Sequence, residues 1–246
     1  MDLSIIVPTY HEADNITRLA KRIQLALAED FSYEILIVDD NSNDGIEEIV
    51  SGLTNQGVPI QCLVRKENPG LSRSVIFGFS QAQGQILVCM DADLAHPPES
   101  LPELIKPLLE KRAQFTLGSR YIIGGSVENT WSLFRWLNSF CATFLSWPLH
   151  GGKVRDPMSG YFAIPTHLLQ KAPPLNPMGW KIGLELLVKC GCHPIIEIPI
   201  HFELRTAGKS KLTIKTQIIN LYHLATLYWF KFMGKSSQSH TSGNTP

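Results

Sequence analysis

The stretch that decides the fold is Ile86-Leu87-Val88-Cys89-Met90-Asp91-Ala92-Asp93. An unbroken apolar run of this length suits a buried strand. It stops abruptly at two carboxylates. Two positions apart in extended backbone, the side chains of Asp91 and Asp93 leave on the same side. Neighbouring carboxylates repel each other unless a cation lies between them. Hard oxygen donors of this kind suit Mg²⁺ or Mn²⁺, which keep waters and a substrate phosphate as their other ligands. The plain alternative is a polar turn in which Asp93 caps a helix.

The flanks of this stretch weigh against the plain alternative. Upstream, Leu3 to Pro8 reads as a buried strand. A helix follows, with Ile16, Leu19, Ala20, Ile23 and Leu27 on one face. Glu34 to Val38 is a second strand, running into Asp39-Asp40-Asn41-Ser42-Asn43-Asp44-Gly45. These residues turn backbone or accept hydrogen bonds, so they form a loop. Ile60 to Val64 is a third strand. After Asn68-Pro69-Gly70 a helix is predicted from Leu71 to about Gln83, with Gly84 as its C-terminal stop. Downstream of the acidic pair, Pro97-Pro98-Glu99 opens another helix. Strands alternating with helices imply right-handed βαβ units and an α/β fold with a mainly parallel sheet. Ligands bind such sheets outside the carboxyl ends of the strands. Three polar clusters, at residues 8–12, 39–40 and 91–93, are all expected there. Neither GxGxxG nor GxxxxGK[ST] occurs, so no dinucleotide fingerprint or P-loop is supported.

Lys plus Arg equal Asp plus Glu at 22 each in 246 residues, so no global field draws this chain to nucleic acid. Any cationic function is local. The odd number of cysteines, 5, mostly within apolar runs, argues for reduced thiols and a cytoplasmic setting. Cys190-Gly-Cys192 lacks a second pair at metal spacing and reads as structural. The first residues are strand-like and show no signal peptide. Lys181 and Glu185, four apart on a predicted helix, read either as an exposed ion pair or as part of a site. The histidines show no ligand spacing and are left unassigned.

Ordered motifs run from about Leu3 to Leu212. They are Pro8-Thr9-Tyr10 with Glu12, the 39–45 loop, Gly70-Leu71-Ser72, and Asp91-Ala92-Asp93-Leu94-Ala95-His96-Pro97-Pro98-Glu99. Later come Gly118-Ser119-Arg120-Tyr121, Arg155-Asp156-Pro157-Met158-Ser159-Gly160-Tyr161-Phe162, and Arg205-Thr206-Ala207-Gly208-Lys209-Ser210-Lys211-Leu212. On these residues the chain resembles the inverting family 2 glycosyltransferases of GT-A fold, and among them the polyprenol (dolichyl) phosphate mannose synthases. It departs in two places. His11 stands where that family usually has Asn, and Ala95 where the mannose synthases usually have a metal-holding Gln.

The resemblance implies transfer of a hexose, mannose from GDP-mannose foremost, to a polyprenyl phosphate with inversion. Asp91 and Asp93 would hold the Mg²⁺ or Mn²⁺. Pro8, Tyr10, Glu12, Asp39, Asp40 and Ala92 would line the nucleotide-sugar pocket, Asp39 near the base and Asp40 supporting the loop. Capping is the plain alternative for Glu12 and Asp39. Arg120, Arg205 and Lys211 are the catalytic cations, and Arg120, Arg135, Asp156, Ser159 and Lys211 the acceptor side. A turn-forming Asp-Pro is the plain alternative for Asp156. The same fold with another donor such as UDP-glucose, or another acceptor, is the first rival. A catalytically weak binding subunit, suggested by Ala95, is the second.

A lipid acceptor requires contact with a membrane surface. Two stretches rich in aromatics, from Trp131 to Trp147 and from Ile214 to Phe232, carry basic residues within or beside them and suit interfacial helices. The expected division is a GT-A domain at 1–211, an amphipathic interfacial helix at 212–234 and a disordered tail at 235–246. The expected location is the cytosolic membrane face, peripherally, alone or through a membrane-protein partner.

Overall fold

The computed structural model describes residues 1–28, 30–127, 133–179, 181–203 and 214–238, with side chains at 133–141, 214–217 and 234–238 left aside. In chain order the elements are β1 (Leu3–Thr9), α1 (Ala13–Leu27), β2 (Tyr33–Asp39), α2 (Ile46–Asn55), β3 (Ile60–Val64), α3 (Leu71–Gln81), β4 (Ile86–Cys89) and α4 (Leu101–Leu109). Then come β5 (Phe115–Ser119), β6 (Ser126–Val127), α5 (Leu133–His150), β7 (Phe162–Pro165), α6 (Thr166–Leu169), α7 (Ile182–Cys190), β8 (Ile195–Pro199), β9 (His201–Phe202) and α8 (Ile214–Gln238).

Seven strands form one sheet in the order β3-β2-β1-β4-β7-β5-β8, and β6 pairs with β9. The first four and the β5–β8 pair run parallel. β7 is inserted antiparallel between β4 and β5. Every residue of β1 is buried because helices cover both faces of the sheet. Alternation along the strand divides its side chains between two apolar layers. Leu3, Ile5 and Val7 pack with α1, whereas Ile6 packs with Val75 and Phe79 of α3.

One expectation needs correction here. α3 ends at Gln81 with Ala82 extended, so Gly84 is not its cap. Gly84 is there because β1 passes against it: an added Cβ would lie 2.4 Å from the backbone carbonyl carbon of Leu3 and the nitrogen of Ser4. The expected C-terminal helix is present as α8. It buries Leu224 and Leu227, and its outward face carries Ile218, Leu221, Tyr222 and Trp229, all more than half exposed. The helix continues to Gln238, into the expected tail; residues 239–246 lie outside the described residues.

Candidate active site

β1, β2 and β4 run parallel, so their carboxyl ends open on the same edge of the sheet. Thr9 is in register with Asp39, and their side chains bond at 3.1 Å. Asp39 is buried and also takes the Ser42 hydroxyl and, at 2.8 Å, the Ser42 N–H. It therefore folds the 39–45 loop on itself. His11 sits at φ 60° and donates its N–H to the Ser42 hydroxyl at 2.9 Å. That backbone region favours Asn but admits His, which accounts for the exchange at this position. Asp40 receives the Arg65 guanidinium, the Ser74 hydroxyl at 2.8 Å and the Gly70 N–H at 2.6 Å. It ties the loop to the start of α3. Glu12 accepts the Asn15 amide at 2.8 Å at the head of α1. Pro8 and Ala92 are buried; Tyr10 is exposed, its ring 4.3 Å from that of His11.

β4 stops at Cys89, so both carboxylates of the acidic pair lie in the bend beyond it. Asp93 is buried and accepts the Ala95 N–H at 3.1 Å. Asp91 keeps 32% of its side chain exposed. Gly160 lies behind it; a Cβ there would come within 3.6 and 3.7 Å of its oxygens. The pair offers hard oxygens and one solvent-facing carboxylate, which fits Mg²⁺ or Mn²⁺ completed by substrate oxygens. Among the described residues no group of three His, Cys, Asp or Glu side chains is gathered for a metal. Ala95 is fully buried in the apolar core and brings no oxygen.

His96, unassigned from the sequence, belongs to this bend. Its Nδ1 accepts the Asp91 N–H at 3.0 Å and lies 3.7 Å from the Asp91 carboxylate. The acceptor role at Nδ1 leaves the ring proton on Nε2. The ring stacks on Tyr161, whose hydroxyl donates to the Pro97 carbonyl at 3.2 Å. The signal was the His following the DxD pair, but without ligand spacing it had no reading.

On the far side of β4, Arg120 meets Asp156. Nε and Nη2 donate to the two carboxylate oxygens at 2.7 and 2.8 Å, and the Arg120 N–H adds a third bond at 3.1 Å. Asp156 is wholly buried. Burial alone would lower the guanidinium pKa; the bonds to Asp156 more than offset this and hold it above its ordinary value. Ser159 is buried, and its hydroxyl accepts the Tyr161 N–H at 3.2 Å. Lys181 donates to the Met158 carbonyl at 3.2 Å, in the loop that carries Asp156 and Gly160.

The exposed Lys181–Glu185 pair does not form. Glu185 is fully buried and pairs with Lys189 at 2.6 Å and His223 of α8 at 3.0 Å. Burial would raise its pKa, but those bonds and the Asn176 N–H hold it below the usual range. Arg205 and Lys211, and the side chain of Arg135 on α5, lie outside the described residues.

The mainly parallel sheet flanked by helices is a GT-A-like α/β fold, with the acidic pair just beyond the carboxyl end of β4. The pattern of "Glycosyl transferase family 2" matches residues 4–171, and the chain belongs to that family. It is 43% identical over 237 residues to a dolichol-phosphate mannosyltransferase of Mycosarcoma maydis, covering 93% of this chain and 80% of that one. It is 41% identical over 241 residues to the dolichol-phosphate mannosyltransferase of Saccharomyces cerevisiae, covering 94% and 89%. Among solved structures it is similar to glucosyl-3-phosphoglycerate synthase from Mycobacterium tuberculosis in complex with Mn²⁺, UDP-glucose and phosphoglyceric acid. That match has a TM-score of 0.69 at 16% identity and covers 94% of this chain and 79% of that one.

Proposed function

We propose that this chain transfers mannose from GDP-mannose to a dolichyl or other polyprenyl phosphate. The observation that carries this reading is the 41–43% identity to dolichol-phosphate mannosyltransferases over more than nine-tenths of the chain. The geometry supports it. The nucleotide enters over β1 and β2, where Tyr10, Glu12 and Asp39 lie, and its diphosphate reaches Asp91 and Asp93. These two residues would hold the divalent ion, which when bound would supply Lewis-acid stabilisation of the charge on the leaving diphosphate. The acceptor is a phosphate monoester with a second pKa of about 6, already mostly dianionic at neutral pH. No side chain has to remove a proton from it. The task left to the protein is to hold two phosphate-bearing substrates together, for which Arg135, Arg205 and Lys211 are proposed cations in addition to Arg120. The exposed aromatic faces of α5 and α8 bring the site to the membrane surface where the acceptor resides. Among the described residues no helix is long and apolar enough to cross a membrane.

The test is incubation with radiolabelled GDP-mannose and dolichyl phosphate in detergent, followed by lipid extraction. The expected product is a labelled, mild-acid-labile lipid that disappears with EDTA and returns with Mn²⁺. Asp91→Asn is expected to lower turnover roughly 100-fold or more, since Lewis-acid stabilisation is worth several kcal/mol. Labelling from UDP-glucose instead would redirect the donor. No lipid product from either donor would overturn the reading.

A further inference from the structure

Arg120 is the cation that the sequence points to beside the acceptor, yet its charge is already matched. One edge of its fork, Nε and Nη2, holds Asp156, and the Tyr121 and Phe202 rings flank its guanidinium at 5.2 Å each. Rearranging it for a substrate would uncover the fully buried Asp156 carboxylate, which is costly. Lys181 is in the opposite situation. Its ammonium has three donors, and one bonds the Met158 carbonyl. Among the described residues the other two have no partner. A charged donor left unpaired in a partly buried place is unfavourable until a ligand arrives.

The position of Lys181 selects the ligand. The nucleotide residues lie at the ends of β1 and β2, on one side of β4. Lys181, Met158, Arg120 and Asp156 lie on the other, over β7 and β5. Lys181 is close enough to Asp91 and Asp156 to feel both carboxylates. A dianion approaching the donor sugar from that side meets these carboxylates as well, and needs a cation whose charge is not already matched.

We propose that Lys181 receives the acceptor's phosphate, with the Arg120–Asp156 pair as the rigid wall behind it. This rests on the reading of the chain as a polyprenyl-phosphate glycosyltransferase. Burial, with help from Arg120, pushes the Lys181 pKa down to about 8, while Asp156 and Asp91 work in the other direction. A bound phosphate dianion would hold the proton on the amine. The role is that of a binding residue: no proton or bond is exchanged at Nζ.

The test uses the full chain with farnesyl phosphate as acceptor. K181M removes the amine, and K181Q keeps a donor for the Met158 carbonyl without the charge. Both are expected to lose about 10- to 100-fold in kcat/KM for farnesyl phosphate, the range of a lost charge-assisted hydrogen bond. The affinity for GDP with Mn²⁺, read by calorimetry, is expected to stay within about twofold and the melting temperature near that of wild type. Full activity of K181Q would make Lys181 a pin for Met158 and overturn the proposal. So would an equal loss of GDP–Mn²⁺ affinity, or failure of both variants to fold. If the wild type transfers no sugar, the functional reading fails separately. Titration of farnesyl phosphate into the GDP–Mn²⁺ complex then decides: binding lost in K181Q supports the proposal, and equal binding overturns it.

Discussion

At the scale of single residues, the charges around the acidic pair differ in what they can spare for a ligand. Asp156 is enclosed, and its two oxygens hold Arg120 through three hydrogen bonds. Removing one member of such a pair leaves the other buried without compensation. Asp156→Ala is therefore expected to cost about 3–5 kcal/mol, far more than loss of a surface carboxylate. Urea unfolding of the purified variant measures it. Native-like stability combined with a raised KM for the acceptor would instead place Asp156 in contact with substrate. Asp39 and Asp40 have also given their oxygens to protein donors, to Thr9 and Ser42 and to Arg65, Ser74 and Gly70. They fold the 39–45 loop, which on the proposed function forms a wall of the nucleotide pocket. Asp91, with a third of its side chain open to solvent, is the carboxylate most directly presented to a ligand.

At the scale of elements, the close passage of the α3–β4 connection over β1 sets the sheet that carries the acidic pair. Gly84→Ala would drive a methyl group into the β1 backbone. Overpacking of this kind is expected to cost about 1–3 kcal/mol. Gly52 is the matched control: it lies within α2 with nothing within 4 Å of an added Cβ. Gly52→Ala is expected to raise stability by about 0.5–1 kcal/mol through helix propensity. Thermal melts of the two variants should move in opposite directions, and equal shifts would contradict the packing argument. The same connection shows what the sequence can convey. The parallel strands were legible because burial on both faces makes each a short continuous apolar run. The loop at 39–45 was legible because its side chains turn backbone. Gly84 was visible as punctuation, but its reason was not, since the clash partner lies some eighty residues earlier. β7 was not read as an antiparallel insertion, because strand direction leaves no mark on four apolar residues. The ion-pair alternative for Lys181 and Glu185 failed for a related reason. A spacing of four places two side chains on one helical face and says nothing about a third element arriving opposite. Here that element is α8, whose His223 claims Glu185, while Lys181 turns to Met158.

At the scale of the whole molecule, α5, α7 and α8 pack together at the end of the domain away from β3. Lys231 donates to the Pro148 and Leu149 carbonyls, and Glu185 joins α7 to α8. These ties fix the orientation of an outward face that is apolar where solvent would favour charge. Phe144 and Trp147 of α5, and Tyr222, Trp229 and Phe232 of α8, are each more than half exposed. Several exposed aromatic rings on a packed helix pair suit an interaction surface. On the proposed function, the other party would be the bilayer interface, where aromatic rings are favoured. If the rings enter the interface, charging two of them should weaken attachment without harming chemistry on a soluble acceptor. Burying part of a Trp or Phe side chain is worth about 1 kcal/mol, so Trp229→Glu with Phe232→Glu is expected to reduce vesicle partitioning roughly tenfold or more. Cosedimentation with phosphatidylcholine vesicles reads the partitioning, and transfer to farnesyl phosphate in detergent reads the chemistry. The double variant should sediment poorly, keep its activity in detergent and lose activity toward dolichyl phosphate embedded in vesicles. Unchanged sedimentation would assign the aromatic face to a protein partner or a second copy. Loss of activity in detergent as well would mean that α8 supports the fold of the site more than its placement at the membrane.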